Sequence, residues 1–210
     1  MSISGTIIGY DPGGNRHHGV AKLSVNDGRV VSLALFTRAT VEQVILDVGE
    51  AENLVGLGVD TLTCWSTGQT GWRQADLWLR ERYPAVRNSI VPPNSLRAMV
   101  LNGMAVLISV RNTIPEVFIT ETHPKVLLWY LRRLRHDYKR RSRAMDALLA
   151  QLLAIAVEPG NEDEWDAALS AFAALQSLTG QWTRDLHHLQ TPGGERLVMP
   201  CGRTCYYWPE

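Results

Sequence analysis

Apolar residues open the chain as an unbroken run, Ile7-Ile8-Gly9-Tyr10, that stops at Asp11 and turns on Pro12-Gly13-Gly14. A run without alternation predicts a strand buried on both faces. Residues 19–25 and 29–36 instead alternate apolar with polar on either side of Asn26-Asp27-Gly28. That pattern predicts a half-buried hairpin, because Asn, Asp and Gly tolerate the positive φ of a tight turn. After Thr40, a capping residue, Val41, Val44, Ile45, Val48 and then Leu54-Val55 recur at helical spacing. Residues 56–60 return as a short buried strand, which makes the order strand, strand, strand, helix, strand.

The second half is more helical. Glycines, tryptophans and Pro92-Pro93 mark an irregular stretch from residue 66 to 93 around a helix at 72–81. Residues 95–110 read as a helix, 116–121 as a short strand, 125–134 as a helix and 142–157 as an apolar-striped helix. Pro159-Gly160-Asn161 breaks the chain before a helix over 163–178. The element order resembles an RNase H-like fold, an α/β mixed sheet flanked by helices. We expect one domain over residues 1–180 with an insertion at about 66–97, and a tail, 181–210, packed on its core.

Acidic residues close three of the predicted strands: Asp11, Asp60 and Glu121. Asp163 and Asp166 share one face of the last helix's first turn. Each has an ordinary explanation, since Asp-Pro-Gly is a favourable turn and acids near a helix start gain from its dipole. As a set they point to one sheet edge, and Ala167, Ala168, Ala171 and Ala174 let the helix lie close to the sheet. Converging carboxylates suit Mg²⁺ or Mn²⁺, hard ions that seek oxygen. Two such ions stabilise the attacking and leaving oxygens of a phosphodiester displacement.

The stretches Ile8-Gly9-Tyr10-Asp11-Pro12-Gly13-Gly14, Gly58-Val59-Asp60, Arg73-x-x-Asp76-x-x-x-Arg80, Ile119-Thr120-Glu121-Thr122-His123-Pro124, Asp163-x-x-Asp166-Ala167-Ala168 and Gly193-Gly194-Glu195 to Met199-Pro200 resemble the predicted RNase H-like nucleases of domain of unknown function 429. The similarity runs over most of the chain. It implies a metal-dependent nuclease with Asp11, Asp60, Glu121 and Asp166 as catalytic carboxylates, and Asp163 beside them as a further metal ligand.

Composition changes this picture in two places. The net charge is zero, so any attraction to nucleic acid must be local. Residues 132–143 hold seven of the 21 lysines and arginines, a density that suits phosphate contacts. Arg140, Arg141, His17 and Arg73 are therefore candidate substrate-binding residues, against the alternatives of a solvated helix end and an ion-pair ladder around Asp76. His17, His18 and His123 are candidates for proton transfer. Three cysteines, at 64, 201 and 205, are too few for a disulfide scaffold, and with no leader-like or membrane-length apolar run a cytoplasmic protein is expected.

Two further readings stay open. His187, His188, Cys201 and Cys205 are zinc-ligand types at poor spacing, and the tail's Trp182, Tyr206, Tyr207 and Trp208 either pack on the core or mediate a homo-oligomer. A catalytically silent RNase H-like nucleic-acid-binding or scaffold protein is the alternative to a nuclease. An actin-like phosphotransferase is a third reading, which the missing second lobe and phosphate loop disfavour.

Overall fold

The computed structural model describes residues 2–191 and 195–210; Gly193 and Gly194 of the closing motif lie outside them. Strands β1 (Gly5–Asp11), β2 (His18–Asn26) and β3 (Arg29–Arg38) form an antiparallel meander. Its second turn places Asp27 at φ 52° and Gly28 at φ 73°, the two positive values that a two-residue hairpin needs. Thr40 caps α1 (Val41–Gly49) by accepting from the Gln43 amide at 3.5 Å. Leu54-Val55, expected to continue the helical stripe, open β4 (Leu54–Val59) instead. Asn53 at φ 46° reverses the chain just before them, and its carbonyl accepts from Thr6 at the start of β1.

The chain continues through β5 (Trp65–Ser66), α2 (Gln74–Arg82), α3 (Ala98–Thr113), β6 (Phe118–Glu121), α4 (Pro124–Arg132), α5 (Tyr138–Leu153) and α6 (Glu162–Leu178). Helix α5 begins four residues before its predicted start. Its first turn is kinked at Arg141 (φ −132°), so the basic run hides a turn of helix that carries no apolar stripe. The five-stranded sheet has the order β3-β2-β1-β4-β6, with β4 and β6 parallel to β1. This is the RNase H-like mixed α/β sheet, with helices on both faces.

Successive residues of β1 explain the two cores. Ile8 and Tyr10 point toward Val44, Val48, Val106 and Leu107 of α1 and α3. Ile7 joins Ala21 and Leu23 beneath Trp165, Ala167, Ala168 and Ala171 of α6. Both sides of β1 are covered, which is why its sequence shows no alternation.

Helix α6 lies closer to the sheet than side chains would allow. A Cβ on Gly9 of β1 would sit 1.8 Å from the Ala167 carbonyl oxygen, and one on Gly58 of β4 would sit 1.9 Å from that of Ser170. Gly19 of β2 meets the Asp163 carbonyl in the same way, at 2.0 Å. Residues 163, 167 and 170 form one stripe of a helix, so α6 crosses three adjacent strands with a glycine under each crossing. Gly9→Ala is expected to lower stability by about 1–3 kcal/mol, because a backbone carbonyl cannot swing aside as a side-chain tip can. Thermal melting checks this; a variant that melts with the parent would mean the helix is free to lift.

The tail returns to the sheet. Cys205 pairs with the outer edge of β6, accepting from the Glu121 amide at 2.8 Å and donating to the Ile119 carbonyl at 3.0 Å. Two small ribbons complete it, β7 (Arg184–Asp185) with β9 (Tyr207–Trp208) and β5 with β8 (Leu197–Val198). Trp182, Tyr206 and Trp208 are buried against their own chain, and the Trp208 indole donates to the Tyr83 hydroxyl at 2.8 Å. Among the described residues no helix is long and apolar enough to cross a membrane.

Candidate functional site

Parallel strands end at the same edge, so β1, β4 and β6 deliver their last residues to one side of the sheet. Tyr10 is level with Val59, and Val59 with Glu121. Asp11 and Asp60 thus lie one step beyond a common row, tied together by the Asp60 amide donating to the Tyr10 carbonyl at 2.9 Å. Side chains two apart share a face of a strand. Asp11 therefore faces the same way as Gly9, and Asp60 the same way as Gly58, toward α6. Asp166, in the second turn of that helix, meets them there.

Burial and like charge act together on this group. Burial first, then Asp60, Asp166 and Asp163, hold the Asp11 carboxyl well above the usual carboxylate range. Asp60 is raised by burial and then by Asp166. Lys125, in the first turn of α4, offsets part of the repulsion: burial opposes its charge, but Asp166, Asp60, Glu162 and Asp11 together raise its pKa. Its Nζ is 3.5 Å from Glu162 Oε1.

Glu121 ends at the same edge, near enough to help raise Asp60, but on the other face of the sheet. Its row partner is Val59, so the pleat turns it to the opposite face from Asp60, and the next residue, Thr122, takes the α6 side with its hydroxyl 2.7 Å from that of Ser170. Both Glu121 oxygens are engaged by Arg73, at 2.7 Å and 2.5 Å, and Oε2 also accepts from the Thr63 amide and hydroxyl. Glu121, expected as a catalytic metal ligand, sits at the centre of an internal charge network and lies within 4.8 Å of Cys64 and His187 as a group of possible metal-ligand atoms.

Arg73, a candidate either for a substrate phosphate or for an ion pair with Asp76, is 1% exposed and binds both oxygens of Asp76. Burial alone would raise Glu121; the Arg73 guanidinium overrides it and, with His187, holds the carboxyl far below its ordinary value. His187 Nε2 stands 3.4 Å from Cys64 Sγ and 3.6 Å from Glu121 Oε2. Burial opposes a proton on His187, yet Cys64 and Glu121 push it up to about 10. The expected grouping of His187 with His188, Cys201 and Cys205 does not form: His188 is exposed, and the cysteine beside His187 is Cys64.

The rim of the acidic edge is built by loops and helix ends. His17 is largely exposed, with Nδ1 3.1 Å from Asp163 Oδ2. Arg16, His17, Tyr138, Lys139, Asn161, Glu162 and Asp163 line a shallow cleft there, so the middle of the basic segment borders the acids. Arg140 and Arg141 are exposed on the same turn of α5. On the other side of Asp60 a cavity of about 200 Å³ combines Thr61, His123 and Lys125 with an apolar wall from Ile90, Val91, Leu96 and Met99. Burial lowers His123 to about 4, which leaves its imidazole neutral near pH 7. His18, the other proton-transfer candidate, is buried with Nδ1 2.9 Å from the Tyr10 hydroxyl.

Two residues of this region escaped the sequence reading. Lys125 follows His123-Pro124, where a lysine on a short helix carries no signal of its own. His136 was absorbed in the basic run, yet its Nε2 lies 2.9 Å from Asp166 Oδ1. A histidine inside an otherwise cationic stretch was the one clue.

No protein-family model and no curated protein matches the chain. Among solved structures it is similar to Thermus thermophilus RuvC, with 15% identity and a TM-score of 0.47 over 83% of this chain and 96% of that one. It is also similar to T. thermophilus RuvC in complex with a Holliday junction substrate, with 14% identity and a TM-score of 0.40 over the same shares.

Proposed function

We propose that the protein is a divalent-metal-dependent nuclease that hydrolyses phosphodiester bonds, a member of the predicted RNase H-like nucleases its motifs resemble. The observation that carries this reading is the meeting of Asp11, Asp60 and Asp166 at one sheet edge with too little positive charge to balance them. The donor set fits Mg²⁺ or Mn²⁺: all three offer carboxylate oxygen, two have raised pKa values, and Asp166 Oδ1 is buried without a hydrogen bond among the described residues. Asp11, Asp60 and Asp166 would hold the metal, with Asp163 at the rim. When bound, such ions supply charge stabilisation to the attacking and leaving oxygens of an in-line displacement.

The chain's own groups do the remaining work. Arg16, Lys139, Arg140 and Arg141 bind the phosphate backbone along the rim cleft, and Lys125 holds a positive charge beside the acids where a scissile phosphate would enter. The insertion's apolar wall shields one side of the edge from water.

The test is cleavage of single-stranded, duplex and branched DNA and RNA with Mn²⁺ or Mg²⁺, using Asp166→Asn as the control. Activity in the parent that the variant lacks is the expected result. Changing Lys139, Arg140 and Arg141 to Ala should weaken binding and flatten its log–log salt slope by about one for each phosphate that is no longer neutralised. Salt-sensitive binding with no cleavage of any substrate would replace this reading with the silent nucleic-acid-binding one.

A further inference from the structure

His136 comes from the connection between α4 and α5, yet its side chain is only 5% exposed and reaches α6. Its ring sits edge-on to Trp165, with centroids 5.2 Å apart at 79°, which fixes the plane of the imidazole. Nε2 approaches Asp166 Oδ1 to 2.9 Å, and that carboxylate is itself 4% exposed. Neither atom makes a hydrogen bond with any described residue. At 2.9 Å the two atoms lie within ion-pair distance, yet they do not meet hydrogen-bond geometry with each other. Two buried polar atoms so close, each unsatisfied, are costly unless something else satisfies both.

A metal ion does so. Two neighbouring ligands at right angles, each bonded at about 2.1 Å, stand about 3 Å apart, close to the observed separation. The far ring nitrogen supports the same assignment. Nδ1 faces Glu162 Oε1 at 3.6 Å, and an acid on that side favours the tautomer with the proton on Nδ1, leaving the Nε2 lone pair free to bind an ion.

We infer that His136 Nε2 is a nitrogen ligand to the divalent ion held by Asp166, so that the site selects Mn²⁺ over Mg²⁺. The inference rests on the metal-centre reading above and adds a residue outside its carboxylates. Imidazole raises affinity for first-row transition ions, whereas Mg²⁺ gains little from replacing oxygen with nitrogen.

The experiment titrates the full chain with Mn²⁺ and, separately, Mg²⁺ by calorimetry, and records pulsed electron paramagnetic resonance of the Mn²⁺ form. The expected result is ¹⁴N coupling to bound Mn²⁺, and a Mn²⁺ affinity at least about tenfold above that for Mg²⁺. His136→Asn should abolish the coupling and weaken Mn²⁺ about tenfold while leaving Mg²⁺ within about threefold. The parent spectrum decides even where the variant folds poorly. Bound Mn²⁺ without ¹⁴N coupling, or coupling that survives in a folded His136→Asn, overturns the role of His136 and leaves the carboxylate centre standing. Failure of the parent to bind Mn²⁺ at all overturns both.

Discussion

Replacing Arg73 with methionine is expected to lower stability by about 3–5 kcal/mol, because it leaves two buried carboxylates without their counter-charge. For a chain of this size that corresponds to a fall in melting temperature of roughly 6–20 °C. Arg73 binds Asp76 and Glu121 together, and both acids are buried. The sign of the pH dependence follows from Glu121. Its folded pKa lies below the ordinary value of 4.5, so its contribution is present above about pH 4.5 and is lost as the pH falls. In Arg73→Met that acid-sensitive contribution should largely disappear. Adding Asp76→Asn and Glu121→Gln to the variant should restore part of the loss, since the unpaired charges go with them. If Arg73→Met melts with the parent but binds nucleic acid less tightly, Arg73 contacts phosphate and the internal-network assignment is wrong.

Asp11→Asn is expected to act in the opposite direction. It removes one of the repelling charges at nearly constant volume, so the metal-free protein should gain about 1–3 kcal/mol at pH 7. Asp11 has a folded pKa raised well above 3.8. Its ionised form therefore destabilises the fold increasingly as pH rises above about 3.8, and the advantage of the variant should vanish at lower pH. The same substitution removes a proposed metal ligand. The parent should gain about 2.7 kcal/mol from Mn²⁺ at a hundred times its dissociation constant, and the variant should lose most of that gain together with any nuclease activity. Melting curves with and without Mn²⁺, at pH 4 and pH 7, measure all three effects. Equal responses to metal in the two proteins would make the carboxylates structural.

Much of the architecture is legible wherever a signal is local. Asn26-Asp27-Gly28 announces its hairpin because a turn depends on the φ values of the residues in it. The breaker at 159–161 announces the start of α6, with Asn161 accepting from the Glu164 amide as its cap. Local signals also mislead at boundaries. Leu54-Val55 matched the period of α1, but the reversal at Asn53 hands them to β4. The first turn of α5 carries charge where a stripe of apolar residues would have marked it.

The acidic site divides along the same line. Asp11 and Asp60 were readable because a buried run ending in an acid points to a strand end, and parallel strands end together. Glu121 satisfied the same rule and is turned away by one step of pleat. Its partner, Arg73, lies 48 residues earlier in sequence. His136 reaches Asp166 only because α4 closes on a left-handed residue, Arg133 at φ 55°, that folds the following loop back toward α6.

What the chain determined by itself is the five strands of the main sheet, the principal helices, the hairpin turn and the delivery of carboxylates to strand ends, since each depends on neighbours a few residues apart. Which face each carboxylate takes, which of them is neutralised and which is left repelling its neighbours were decided by tertiary structure. Gly9, Gly19 and Gly58 are unremarkable in sequence, and only the approach of α6 shows that they set how near Asp166 comes to Asp11 and Asp60. Charge interactions act through space over several ångströms, so a site assembled from residues 11, 60, 125, 136 and 166 exists only once the sheet and α6 have packed.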